Sequence, residues 1–293
     1  MPTIAVIGAT GTQGSSVVSA LFTSTSFSVK ALTRDPSSDK AKALGSHDRL
    51  ELVKADLHDV ESVKKALEGV KGVFAMTESG PGEEEQGKNL VDAVKAAGVE
   101  LLVLSSLPSI ARATNGKYTG VFSFEVKAGI EAYAKQQLSA VTVVVPGILY
   151  SHLARPIYSQ RRADGTVRFC LSDKNADPSV GFLDVADIGV FVSDLPIMTS
   201  PIGSASSFAS TYSSITSDAA VVEAITPSKI RGFLAGAPHG EMIAQAMIDM
   251  FAHLDETPEG TTVYGAMKRS EDTSKADLGV EATSFENWLR KSG

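Results

Sequence analysis

Three glycines stand at even intervals in Gly8-Ala9-Thr10-Gly11-Thr12-Gln13-Gly14, directly behind the apolar run Thr3–Ile7. A strand that stops at glycine and turns straight into a helix uses such residues in three ways. One permits a tight turn, one lets the backbone approach a pyrophosphate, and one lets the helix pack closely on the strand. The first backbone N–H groups of that helix then point at the phosphates, and the helix dipole favours their charge. The chemistry of this loop is dinucleotide binding. The alternative is a strand–helix turn whose glycines are incidental.

The residues at the end of the second apolar run select the dinucleotide. An acid at that point usually holds the ribose hydroxyls of NAD(H), but Ala31-Leu32-Thr33-Arg34 carries none. Arg34 instead offers a planar fork suited to a ribose 2′-phosphate. Asp35 beside it can turn outward, and Ser37, Ser38 and Lys40 can complete a phosphate pocket. This favours NADP(H) over NAD(H), against the alternative that Arg34 is a solvated loop residue. After the third run, Asp56 can accept from the adenine amine and Leu57 can flank the ring, or Asp56 is an ordinary turn residue. Thr77 ends the fourth run, on the edge of the sheet where ligands bind in such folds.

These residues need a scaffold, and the apolar pattern supplies one. Strands are expected at Thr3–Ile7, Phe27–Leu32, Leu50–Lys54, Gly72–Met76, Leu101–Ser105 and Val141–Val145. Helices are expected between them: from Gly14 onward, over Asp39–Leu44, behind a cap at Asp59, along Leu90, Val91, Val94 and Ala97 to Gly98, and over Phe124–Gln137. Continuous apolar strands separated by helices imply a parallel sheet covered on both faces. The fold class is therefore α/β, a Rossmann-type doubly wound sheet over residues 1–150, with a smaller C-terminal cap over 151–293. Part of that cap, about 183–200, is expected to return to the first domain. Within it, Gly181–Asp187 reads as a loop opening a helix, Ser200–Ser217 as loop, and Glu241–Leu254 as helix. The segments His152–Tyr158 and Gly181–Asp187 are placed to roof the crevice, with Tyr150, Leu153, Tyr158 and Phe182 as its walls; simple packing of the two halves is the alternative.

Composition narrows the function classes. The 293 residues carry 34 acidic against 27 basic side chains, a formal charge of −7, which argues against direct nucleic-acid binding. The single cysteine, Cys170, excludes an intrachain disulfide, and the five histidines show no metal-ligand spacing, so no metal is expected. The amino terminus lacks the basic and apolar regions of a leader, and no run approaches the roughly 20 apolar residues of a membrane span. The expected location is cytoplasmic, with the nucleus also open.

Written as GATGTQG, the loop has the G-x-x-G-x-x-G spacing of short-chain-dehydrogenase-like folds, and the chain resembles the NmrA-like family of atypical short-chain dehydrogenase/reductases. The resemblance continues through Leu32–Pro36, Gln86–Ala97, Leu104–Leu107, Lys127 with Ile130-Glu131-Ala132-Tyr133, Pro146-Gly147, Val185–Gly189 and Ser284–Leu289. It implies NADP(H) contacts from the glycine loop, Arg34, Thr77, Lys127 and the segment holding Pro146, Gly147, Ile148 and Leu149, with Ser105 where conventional members place a catalytic serine. Those members pair a tyrosine with a lysine four residues on, the lysine lowering the tyrosine's pKa for proton transfer. Here Lys127 is preceded at that spacing by Ser123, and Tyr118 and Tyr133 are misplaced. Lys127 is thus expected first as a contact to the cofactor's ribose or nicotinamide and second as a proton donor. Two departures concern the nicotinamide end: Ser151 stands where many members have asparagine, and Glu83-Glu84-Glu85 where some carry a basic contact.

The family holds both regulators and enzymes. An intact loop beside a missing tyrosine points to a redox-sensing regulator, whose partner would be a GATA-type transcription factor by resemblance. The alternative is an NADPH-dependent reductase of a small carbonyl or aromatic metabolite. Arg34→Ala is expected to weaken NADP(H) binding by about 1.5–3 kcal/mol, roughly ten- to a hundredfold, while NAD(H) hardly changes. Calorimetry with both dinucleotides checks this, and equal losses would remove Arg34 as the discriminating residue.

Overall fold

The computed structural model describes residues 1–171, 173–174, 177–194, 202–257, 264 and 282–292. Six strands form one sheet: β1 Thr3–Ile7, β2 Ser28–Thr33, β3 Leu50–Lys54, β4 Gly72–Ala75, β5 Leu101–Ser105 and β6 Val141–Val144. Their order is β3-β2-β1-β4-β5-β6 and every pairing is parallel. The winding reverses between β1 and β4, so a crevice opens beyond the carboxyl ends of those strands, at the end of the glycine loop.

Helices cover both faces because both faces are apolar. On one side α3 Val60–Ala66, α4 Glu83–Ala96 and α6 Phe122–Gln137 bury Val63, Leu90, Val94 and Ile130 against Ala5, Leu102 and Leu104. The Asp59 carboxylate caps α3 by accepting from the Ser62 N–H at 3.2 Å, as its position before the apolar stripe predicts. On the other side α1 Thr12–Ser24 buries Val17, Val18 and Leu21 against Val6, Val29 and Phe74. The short helices α2 Asp39–Lys42 and α5 Ile110–Ala113 lie in connections.

After β6 the chain leaves the sheet. Strand β7, Ile148–Leu149, pairs with β10, Ser179–Leu183, which also takes β11, Ile202–Ser204; β8 Ser159–Arg161, β9 Val167–Phe169 and β12 Ala220–Val222 form another small sheet. Helix α7, Val185–Asp194, returns to lie along α1. Ser16 Oγ donates to the Val185 carbonyl at 2.7 Å, and a β-carbon on Gly189 would stand 2.5 Å from the Ser16 carbonyl oxygen. Glycine is what allows the two backbones to touch. Residues 195–200 of the segment expected to return lie outside the described residues.

Two expectations for the second half need correction. Gly181–Leu183 is strand, not loop: Val180, Phe182 and Leu183 are at most 2% exposed, and a short run buried on both sides carries no alternation to read. Ala205–Thr216 is helix α8, not loop; residues 200–201 lie outside the described residues. Ser204 caps α8 through the Ser207 N–H, and burial of Ala205, Phe208 and Ala209 overrides the weak helix propensity of its serines and threonines. Helices α9 Pro227–Leu234 and α10 Gly240–Glu256 and the final helix Phe285–Ser292 complete the second core.

That core also absorbs the expected crevice walls. Tyr150 and Phe182 are fully buried and Leu153 nearly so. Tyr150 stacks between Phe182 and Trp288, with ring centroids 5.9 and 5.3 Å away, and Phe208 meets Phe182 edge-on at 4.7 Å. These residues pack the second half together and none of them lines the cleft at the glycine loop; half-buried Tyr158 packs with them, edge-on to Phe251. No helix among the described residues is long and apolar enough to cross a membrane. Replacing Gly189 by valine would overpack the α1–α7 contact and is expected to cost about 1–3 kcal/mol. A thermal midpoint equal to that of the unaltered protein would show that the contact tolerates a side chain.

Candidate functional site: a crevice at the glycine loop

The glycine loop takes its shape from two close approaches. Gly8 has φ +75°, in the left-handed region, and Gly11 N–H donates to the Gly8 carbonyl at 2.9 Å. A β-carbon on Gly14 would fall 2.2 Å from that same carbonyl oxygen, so only glycine lets α1 start this close to β1. Gly11 precedes α1 without giving it a side-chain cap, and the first turn holds no acid. By contrast, α2 and α3 are capped by Ser38 and Asp59. The amino end of α1 is therefore a cradle of backbone N–H groups that suits an anionic phosphate.

A cleft of about 510 Å³ runs from this loop across the ends of β2, β3 and β4. Gly8, Thr10, Gly11, Thr12, Arg34, Ser38, Asp56 and Leu57 all line it, as do Asp35 and Lys40. Ala9, Gln13 and Gly14 of the loop are not among the residues lining the cleft; Ala9 and Gly14 are buried. Asp35 turns onto its own chain, accepting from the Ser37 hydroxyl at 2.6 Å and the Ser37 N–H at 2.8 Å, and these bonds hold its carboxyl below the usual range. Ser38 accepts from Ala41 N–H and donates to the Asp35 carbonyl, which fixes the short α2 beside the cleft. Asp56 is a turn residue in its bonding, accepting from His58 N–H at 3.0 Å, and it faces the cleft as well.

Among the further residues that line the cleft are His58, Gln86 and Glu78; Gln86 opens the family-like run Gln86–Ala97, and no local sequence motif marks the other two. Gln86 Nε2 and His58 Nε2 are 3.0 Å apart, joining the first turn of α4 to the loop after β3. Glu78 Oε2 lies 3.5 Å from Arg34 Nη2. The signal for Glu78 was its position three residues past β4, on the ligand edge of the sheet.

Deeper along the edge lies a buried polar knot. Lys127 on α6 and Glu83 on the first turn of α4 are 8% and 1% exposed. Lys127 Nζ donates to Glu83 Oε1 at 2.6 Å, to the Thr77 carbonyl at 2.8 Å and to Thr77 Oγ1 at 3.1 Å. Thr77 Oγ1 also meets Glu83 Oε1, at 2.7 Å. An ammonium has three protons to give, and all three are engaged. Lys127 would reach a ribose only by exchanging one of these partners. Glu83 Oε2 is buried with no hydrogen-bond partner among the described residues. Ser105 donates to Gln13 Oε1 at 2.8 Å, and Ser106 donates to the Lys127 carbonyl at 3.3 Å. Pro146 and Gly147 link β6 to β7, where Ile148 and Leu149 are buried. No tyrosine completes a proton-transfer pair with Lys127 among the described residues: Tyr118 packs near His253, burial raising its pKa, and Tyr133 donates to Asp92 on the surface.

The sheet order and the uncapped glycine loop define a Rossmann-type fold. The chain belongs to the NmrA-like family, whose pattern matches residues 1–226. It is 42% identical over 142 residues to the NmrA-like family domain-containing oxidoreductase FrzB of a Cladobotryum species, covering 45% of this chain and 42% of that protein. The corresponding oxidoreductase hkm9 of Aspergillus hancockii is 38% identical over 148 residues, covering 48% and 44%. The matched part thus spans under half the length of these relatives. Among solved structures, NmrA, a negative transcriptional regulator, superimposes with a TM-score of 0.81 at 21% identity over 99% of this chain and 95% of that one. The NADPH-dependent quinone oxidoreductase of Escherichia coli does so with a TM-score of 0.75 at 19% identity over 99% of both. At these identities the likeness is one of fold.

Lys127→Met leaves the Glu83 carboxylate buried without a counter-ion and is expected to destabilise the fold by about 3–5 kcal/mol. Adding Glu83→Gln should recover much of the loss. Urea unfolding of the two variants checks this, and a Lys127→Met protein as stable as the parent would show that the pair is not buried in solution.

Proposed function

We propose that this protein binds NADP(H) along the crevice and acts as a redox-responsive regulator, passing the state of the dinucleotide to a protein partner. The uncapped start of α1 and the space that a Gly14 side chain would fill fit a pyrophosphate. Arg34, Ser38 and Lys40 would hold the 2′-phosphate end, and Asp56 and Leu57 the adenine. Bound NADPH supplies a hydride. The relatives in fold add support, since NmrA has been crystallised with NADP and with NAD.

One observation favours a regulator over an enzyme. The Lys127 ammonium is bound on all sides by Thr77 and Glu83, with Ser123 where a proton-shuttling tyrosine would stand. A proton leaving Lys127 would strand the buried carboxylate. A GATA-type transcription factor is the partner that family resemblance suggests, and a cytoplasmic or nuclear location goes with that proposal. The second reading, an NADPH-dependent reductase of a small carbonyl or aromatic metabolite, draws on the oxidoreductase names of FrzB and hkm9.

Gly11→Val tests the cofactor. A branched side chain there would fill the space of the pyrophosphate, while the sheet core lies elsewhere. Calorimetry is expected to show NADPH and NADP+ binding to the parent and at least about a tenfold loss in the variant, with the circular dichroism unchanged. Undiminished affinity in a folded variant would end the cofactor reading. NADPH oxidation over a panel of carbonyls and quinones should stay at background; turnover that depends on the Lys127 amine would favour the reductase.

A further inference from the structure

The acid missing from the tip of β2 is supplied from elsewhere. Strands β2 and β4 flank β1, and neighbouring strands lie about 4.8 Å apart, so the two flanking tips are separated by roughly 10 Å. Arg34 follows β2 and Glu78 follows β4, yet their side chains come within 3.5 Å. Both line the same cleft as Gly8, Gly11 and Thr12, so their ion pair spans the mouth of the cleft beside the glycine loop. The other two acids of the cleft are engaged locally, Asp35 by Ser37 and Asp56 by the His58 N–H. Glu78 is the carboxylate that faces the guanidinium.

We infer that Glu78 is a determinant of dinucleotide preference: its carboxylate competes with the 2′-phosphate of NADP(H) for Arg34 and does not oppose the uncharged ribose diol of NAD(H). A 2′-phosphate brings more than one negative charge to this point, and it gains Arg34 only by displacing Glu78 and staying beside it. NAD(H) meets no such repulsion, and a carboxylate is the group that dinucleotide sites commonly offer to ribose hydroxyls. Both side chains are largely exposed, at 72% and 77%, so the pair is cheap to open and its effect is modest and sensitive to salt. Arg34 and Glu78 together make the cleft permissive, where Arg34 alone would make it selective for NADP(H). The assignment rests on dinucleotide binding in this crevice and refines it.

The test is calorimetric titration of the full chain with NADP+ and NAD+, at low salt and at about 0.5 M salt, for the parent protein, Glu78→Gln and Glu100→Gln. Glu100 pairs with Lys71 at the opposite end of the strands, so its variant makes the same change in net charge far from the cleft. The expected result is that Glu78→Gln tightens NADP+ about three- to fivefold without tightening NAD+, that high salt abolishes the difference, and that Glu100→Gln does neither. Equal changes for both dinucleotides, no change, or the same change in Glu100→Gln would overturn the role of Glu78 while leaving dinucleotide binding intact. A parent protein that binds neither NADP+ nor NAD+ would overturn the dinucleotide reading itself, and the role of Glu78 with it.

Discussion

The structure depends on how closely α1 approaches β1. With Gly14 against the Gly8 carbonyl, the amino end of α1 is held at the sheet edge with its N–H groups facing the crevice. The same helix offers Ser16 and Ala20 to Gly189, which seats α7 on its other side. Helix α7 in turn carries Asp187, whose two oxygens accept from the N–H and hydroxyl of Thr283 at 2.6 and 2.8 Å. Thr283 precedes the final helix, whose Phe285 and Trp288 pack against Tyr150. One small residue at the start of α1 thus governs both the ligand cradle and the path by which the second half is tied to the first. A methyl group at Gly14 would push on all of it.

Two ion pairs mark the crevice, and their settings give them opposite characters. Lys127–Glu83 is buried, shares Thr77 and ties β4, α4 and α6 together. Desolvation makes such a pair poor at adding stability but costly to break, so it fixes geometry. Arg34–Glu78 is exposed and long, worth at most about 1 kcal/mol, so it yields readily to an incoming charge. The crevice is therefore rigid where Lys127 lies and adjustable where a 2′-phosphate would enter.

Much of the first half was legible because its central strands, β1, β4 and β5, are apolar runs largely buried on both faces. The limits of β1, β3 and β5 agree with the apolar runs; Asp59 caps α3 with its carboxylate, and Gly69 and Gly98 follow α3 and α4 with positive φ. The cleft residues of the glycine loop were legible because their spacing is local. The features that escaped are non-local. Glu83, Glu84 and Glu85 read as one acidic run, but the helical period turns Glu83 inward to Lys127, 44 positions away, and leaves Glu84 outside with Lys88. Strand β10 and helix α8 were missed because their states come from burial in the second core, which local propensity does not report.

The aromatic residues of the second half carry the same lesson to function. Tyr150, Leu153 and Phe182 have the composition of a pocket wall, yet each is spent on joining the final helix and α8 to the small sheet. A fully buried wall residue cannot touch a ligand without the core opening. The polar rim of the crevice is different: Arg34, Glu78, His58 and Gln86 all reach it and can exchange partners at little cost. In this chain the polar groups free to exchange partners therefore lie at the carboxyl ends of the strands, while the aromatic residues of the second half pack its own core.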